Sequence, residues 1–185
     1  MLLHGTGGDE RDLIPIGRAL DPNASLLSPR GKVLENGMPR FFRRLSEGVF
    51  DIDDLKLRTT ELADFVTAAA ERYGIDGKRI VGVGYSNGAN IAASVLLLRP
   101  EIFSAAILFR AMVPLIPETQ PKISSAHVWI GAGKSDPIIP AAQTEQLAEL
   151  LRKAGADVTL RWFSAGHELT PQDLSTAHEW LMSLR

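Results

Sequence analysis

The chain has 185 residues, 45% hydrophobic and 23% charged, with a formal net charge of -2 and no cysteine. That length suffices for one domain with a sizeable core. The charge balance argues against a nucleic-acid partner, and the lack of cysteine removes disulfides, thiol nucleophiles and thiolate metal sites.

Leu2-Leu3 reads as a stub of strand running into the glycine-rich turn His4-Gly5-Thr6-Gly7-Gly8. No apolar run approaches the ~20 residues of a membrane-spanning helix. The opening MLLHGTGG has neither a basic n-region nor a cleavage pattern, so a cytoplasmic protein is expected. Residues 10–20 carry Leu13, Ile16, Ala19 and Leu20 on one helical face. Residues 24–28 read as a short strand stopped by Pro29-Arg30-Gly31. Residues 32–54 lack a clean period and contain the turn signal Asn36-Gly37. Residues 54–73 read as a long amphipathic helix closed by Gly74. Residues 79–83 read as a strand buried on both faces, followed by a mostly apolar helix at 87–98. Further strands are expected at 104–109, 127–130 and 158–163, with a helix at 140–153. Thr170-Pro171-Gln172-Asp173 opens a last helix, with a threonine cap, proline at the first helical position and an acid at the third.

Strand and helix alternate without a repeat or a linker. The pattern predicts a single α/β domain over residues 1–185, with a mostly parallel sheet of about six strands and helices on both faces. Sites in such sheets form at the carboxyl edge, where strands end. Four loops at that edge carry unusual chemistry: 4–9, 84–88, 131–137 and 164–168.

Gly84-Tyr85-Ser86-Asn87-Gly88 fits G-x-S-x-G between a strand and a helix. In such a turn the small flanking positions let strand and helix approach, and the serine hydroxyl stands exposed above the sheet. A dinucleotide loop beginning at Gly82 fails, because its third glycine falls at Asn87. The pentapeptide by itself is equally consistent with a plain tight turn. A serine is a weak nucleophile without a base. His167 lies in a loop at the same edge and is the candidate. His4 more naturally braces its glycine loop, His127 begins a strand at the wrong edge, and His178 lies on the last helix. The base needs an orienting acid. Asp136 follows a strand, although Asp beside proline also serves as an N-cap or Asx-turn residue. The chain order Ser86, Asp136, His167 is that of the hydrolase triad. The backbone N–H groups of Asn87 and Thr6 are the candidate oxyanion donors. A phosphate-binding reading of the Thr6 loop lacks the Walker lysine.

Together, His4-Gly5-Thr6-Gly7-Gly8-Asp9, Pro29-Arg30-Gly31, the serine pentapeptide, Ser135-Asp136-Pro137 and Gly166-His167 resemble the small carboxylesterase/phospholipase branch of the α/β-hydrolases. That branch includes acyl-protein thioesterases and lysophospholipases. Residues 35–42 and Arg110-Ala111-Met112-Val113-Pro114 are more similar to its MhqD-like bacterial members. The resemblance implies a serine esterase without cofactor or metal, with Ser86, Asp136 and His167 as the triad and Thr6 and Asn87 as oxyanion donors. It implies a small-molecule ester substrate. The family normally has one or two strands before the HG loop, and three residues precede His4 here, so those strands are expected to be missing. Residues 24–28 should then lie near an exposed edge, which invites self-association as a homodimer. Thioesterases of the branch usually carry glutamine where this chain has Asn87.

For substrate contacts, the aromatic and cationic stretch 38–50 offers Phe41 and Phe42, and Met112 and Leu115 offer an acyl side. A loop whose phenylalanines complete the core is the competing reading. Short or medium acyl esters are the expected substrates. An acyl-thioesterase or lysophospholipase is the alternative, and a non-catalytic binding protein on the same scaffold a third.

Overall fold

The computed structural model describes residues 1–123 and 126–184. In chain order the elements are β1 (Leu2–Leu3), α1 (Ile14–Leu20), β2 (Val33–Glu35), β3 (Met38–Arg40), β4 (Arg44–Ser46), β5 (Val49–Phe50) and α2 (Ile52–Tyr73), then β6 (Val81–Tyr85), α3 (Asn87–Leu98), β7 (Ala105–Phe109), β8 (His127–Gly133), α4 (Ala141–Lys153), β9 (Asp157–Phe163) and α5 (Pro171–Ser183).

The central strands carry apolar residues at successive positions because both of their faces are covered. Ala106, Leu108, Val128 and Ile130 pack into one core with Leu62 and Val66 of α2, most of α3, and Leu147 and Leu151 of α4. Ile107, Phe109 and Trp129 pack into a second core with Leu20 of α1 and Ala177 of α5. Helices therefore lie on both faces. The sheet is parallel throughout, in the order β1-β6-β7-β8-β9.

This sheet has five strands where about six were expected. Residues 24–28 do not form a strand. They meet β1 through a single backbone bond, Leu2 N–H to Leu27 O at 2.8 Å. With only two residues, β1 offers too short a ladder to hold a neighbour on its outer side. Its inner side pairs fully, Leu2 opposite Val83 and Leu3 opposite Gly84. Residues 32–54 are more ordered than their lack of period suggested. They fold into two small hairpins, β2–β3 and β4–β5. The first turns at Asn36 (φ 50°) and Gly37 (φ 80°), left-handed geometry that suits a tight hairpin. α1 starts at Ile14 rather than residue 10, with Pro15 in its first turn. α2 is capped by Asp51, whose side chain accepts from Asp54 N–H, and it stops at Gly74 with φ 65°.

β6 starts and ends two residues later than expected, at Val81 and Tyr85; its later start follows from Gly77–Arg79 being taken up in a 3-10 turn capped by Asp76. Tyr85 pairs with Phe109, Phe109 with Gly131, and Gly133 with Phe163. The strands thus end close together, and the loops after β1, β6, β7, β8 and β9 leave from one edge.

α3 is buried along nearly its whole length. Its first turn presses so closely on the sheet that a Cβ at Gly88 would overlap the Leu3 carbonyl, and one at Gly84 would overlap the Gly88 carbonyl. Gly88→Ala is therefore expected to cost about 3 kcal/mol or more, roughly 6–12 °C in Tm at this length. Gly77→Ala, which places a Cβ in open space, should stay within about 0.5 kcal/mol. Equal thermal shifts for the two variants would contradict this packing.

Candidate active site

Ser86 stands at the tip of β6, as the residue that caps α3, with φ 54° and ψ -115°. This backbone conformation costs a non-glycine residue about 1–3 kcal/mol and needs its surroundings to enforce it. Ser86 N–H donates to Phe109 O at 2.9 Å, and Ser86 O accepts from Asn90 N–H at 3.0 Å. The hydroxyl is thereby turned away from the helix toward the loop after β9.

That loop brings His167, whose Nε2 lies 2.9 Å from Ser86 Oγ. His167 Nδ1 lies 2.8 Å from Asp136 Oδ2. A carboxylate can only accept, so Nδ1 carries the proton and Nε2 is free to accept from the serine hydroxyl. The Asp136 side chain is 2% exposed and that of His167 16%, so bulk water is largely kept from the pair. The Asp136 carboxylate makes both kinds of contact at once. Its Oδ1 accepts from Ile138 N–H at 2.8 Å and Ile139 N–H at 3.0 Å, closing an Asx turn, while Oδ2 faces the imidazole. Glu168, the other nearby acid, turns elsewhere. Its carboxylate accepts from Gly166 N–H at 3.0 Å, a bond that holds its pKa below the usual carboxylate range.

Asn87 N–H opens α3 and belongs to the first turn, where helix donors have no intrahelical acceptor. The helix dipole adds partial positive charge there. Thr6 lies in the turn after β1, which ends level with β6. β3 fixes this turn from outside: Gly7 N–H donates to Pro39 O at 2.9 Å, and Arg40 Nη1 donates to Thr6 Oγ1 at 2.7 Å. Arg40 is buried, and burial, with Arg44 nearby, pulls its guanidinium below its ordinary pKa while Glu35 opposes the shift. His4 braces the same turn. Its Nδ1 donates to Gly5 O at 2.7 Å and its Nε2 accepts from Gly31 N–H at 2.9 Å. His127 is exposed and faces Asp157, and His178 bonds Leu20 O.

The expected substrate contacts fare differently. Phe42 has no exposed surface and packs edge-on against Phe50. Phe41 is buried against the His4 ring. Both belong to the core, because the hairpins fold their phenylalanines inward. Leu115 also moves away from the site. It lines a groove with Lys56, Leu97, Leu98 and Pro100, at the far end of α3, roughly 17 Å along the helix from Ser86 at 1.5 Å per residue. Met112 stays close. Its N–H donates to Asn90 Oδ1 at 3.0 Å, one helical turn beyond Ser86.

Several working side chains were not visible in the sequence. Asn87 Oδ1 accepts from Phe41 N–H at 2.8 Å, and Asn90 Oδ1 holds Met112, so the first turn of α3 ties down loops on two sides. Tyr85 Oη donates to His167 O at 3.0 Å. Burial pushes the Tyr85 phenol above its ordinary pKa, against the opposing charge of Arg110 and with smaller help from Asp136 and Glu168. The one available signal was position: polar residues crowded around the serine at the start of an otherwise apolar helix.

Among the described residues, no group of three His, Asp or Glu side chains is placed to hold a metal ion, and no helix is long and apolar enough to cross a membrane.

The dienelactone hydrolase family profile matches residues 45–179. MhqD of Bacillus subtilis (strain 168), a hydrolase by name, is 51% identical over 180 residues, covering 97% of this chain and 90% of that protein. The crystal structure of a Bacillus cereus carboxylesterase is 48% identical with a TM-score of 0.97, over 100% of this chain and 87% of the other. A carboxylesterase from Mesorhizobium loti is 32% identical with a TM-score of 0.93, over 98% and 86%.

Asn90→Ala would leave the buried Met112 N–H unpaired, and should lower stability by about 1–3 kcal/mol. Urea denaturation measures this directly, and an unchanged midpoint would show that the bond does not hold the loop.

Proposed function

Because the chain belongs to the dienelactone hydrolase family and is a hydrolase of the α/β class, we propose that it is a serine carboxylesterase acting through an acyl-enzyme intermediate on short to medium acyl esters. The observation that carries this reading is the unbroken line Ser86 Oγ, His167 and Asp136, at 2.9 and 2.8 Å.

Ser86 Oγ attacks the ester carbonyl carbon while His167 Nε2 takes the hydroxyl proton. Asp136 keeps its negative charge, holds the imidazole in the reactive tautomer and stabilises the imidazolium. The carbonyl oxygen becomes an oxyanion, which the N–H groups of Asn87 and Thr6 receive. Asn87 is fixed in the first turn of α3 and the Thr6 turn is tied to β3, so these donors need little rearrangement as charge develops. His167 then gives its proton to the departing alkoxide. A water molecule, deprotonated in turn by His167, attacks the acyl-serine and releases the acid. Met112, largely buried one helical turn from Ser86, is the remaining acyl-side candidate. Met38 is the contact that replaces the two phenylalanines, since it is 41% exposed and its side chain lies against Gly7 of the oxyanion turn.

The relatives named as carboxylesterases favour an oxygen ester over a thioester or lysolipid. A panel of p-nitrophenyl esters, acyl-thioesters and lysolipids separates these classes by kcat/KM. The same panel tests the mechanism. Ser86→Ala and His167→Ala should each abolish turnover, and the double variant should be no slower than either single one, because the residues act as a unit. Asp136→Asn should lower kcat by a factor on the order of 10³ to 10⁴. Its carbonyl can keep the Asx turn, so its amide nitrogen meets His167 Nδ1–H donor against donor. Additive losses in the double variant, or a mild Asp136→Asn, would refute the triad.

A further inference from the structure

The loop that carries His167 holds a glycine at 166 and lies largely at the surface, yet its imidazole must stay in line between two partners. Three consecutive carbonyls of this loop are each gripped from below. Arg110 Nε donates to Gly166 O at 3.0 Å, Tyr85 Oη to His167 O at 3.0 Å, and Arg110 Nη2 to Glu168 O at 2.6 Å.

Arg110 is built for this. It follows the all-apolar strand β7 and is 1% exposed. Its backbone sits at φ 55°, a left-handed conformation uncommon for a residue with a side chain. Its N–H is fixed to Gly131 O at 2.8 Å. Nη1 and Nη2 bind the two oxygens of Asp173 at 2.6 and 2.9 Å, and Nη1 also reaches Gly131 O at 3.2 Å. All five guanidinium donors therefore have acceptors, which a lysine ammonium with three donors could not reproduce. Asp173 is anchored as well. Its carboxylate accepts from Thr170 N–H in the capping box of α5. The grip on the histidine loop is thus referred to β7, β8 and α5 at once.

We propose that Arg110 and Tyr85 are positioning residues for His167, fixing the three carbonyls of residues 166–168 so that the imidazole stays aligned between Ser86 and Asp136. The hydrogen bonds of both side chains end on backbone carbonyls rather than on the reacting atoms, and the Tyr85 ring also lies against the imidazole, centroids 5.4 Å apart and tilted by 42°, a contact that phenylalanine would keep. They act through the backbone of the base, and the inference rests on the reading of His167 as that base. A displacement of the imidazole by 1 Å is enough to cost on the order of 10² in rate.

Tyr85→Phe keeps the ring and removes only the hydroxyl, so it tests the grip in a folded protein. It should lower kcat by about 5- to 30-fold with KM within about twofold of the parent. Arg110→Lys should lower kcat further if it folds. The second readout is the far-downfield proton resonance of His167 Nδ1–H against Asp136, which should be resolved in the parent and broadened or lost in Tyr85→Phe. A Tyr85→Phe protein that keeps both kcat and the resonance would overturn the proposal. So would a fall in kcat with the resonance unchanged. Loss of the resonance with kcat unchanged would uphold the positioning, and would instead overturn the assignment of His167 as the base.

Discussion

The close packing of β1, β6 and the first turn of α3 imposes the geometry on which the site depends. Gly84 and Gly88 have no room for a Cβ, because the Leu3 and Gly88 carbonyls occupy that space. Strand and helix can therefore nearly touch, and the chain between them must reverse within one residue. That residue is Ser86, at φ 54°. The hydroxyl is turned out of the helix toward His167 as a consequence, and Asn87 N–H is left as a helix-start donor beside it. The same contact sets the turn carrying Thr6 next to the serine, since Leu3 is the last residue of β1 and packs under Gly88. One steric constraint places the candidate nucleophile and both candidate oxyanion donors.

The surrounding loops have no such constraint of their own, and side chains hold them. Asn87 and Asn90 secure Phe41 and Met112 from the first turn of α3. Arg40 holds Thr6. Arg110 and Tyr85 hold the loop of His167. Asp136 closes its own turn before it meets the imidazole. Each of these bonds is wholly or partly buried apart from those of Asp136 to Ile138, and in such surroundings a polar group left without its partner is costly. The site is stiff because the cost of releasing any one loop is an unpaired donor or acceptor. The hairpins β2–β3 and β4–β5 combine both behaviours. They bury Arg40, Phe41 and Phe42 beneath the site, while Leu34, Leu45 and Val49 stay on the surface.

Much of this was legible in the sequence where the cause is local. Glycines on either side of a serine, a threonine cap followed by proline and aspartate, and apolar runs between loops all report short-range physics. They located Ser86, the start of α5 and the central strands to within a few residues. The sites of error share a different cause. Residues 24–28 look extended, yet a strand requires a neighbour long enough to pair with. Phe41, Phe42 and Leu115 look like contact surface, yet whether an aromatic or a leucine faces substrate or core depends on how its segment folds back. Arg110 ends an apolar strand without any local sign that its partners are Gly166, Glu168 and Asp173, more than fifty residues away. A partner so distant leaves no periodicity to read.

The central claim is that the strained turn makes Ser86 the single nucleophile. A fluorophosphonate probe, which traps activated serines, measures this when the labelled protein is digested and the adduct located by peptide mass spectrometry. The account predicts one adduct per chain, on Ser86, with complete loss of ester hydrolysis at full labelling. An adduct on another residue, or hydrolysis that persists with Ser86 fully blocked, would contradict it.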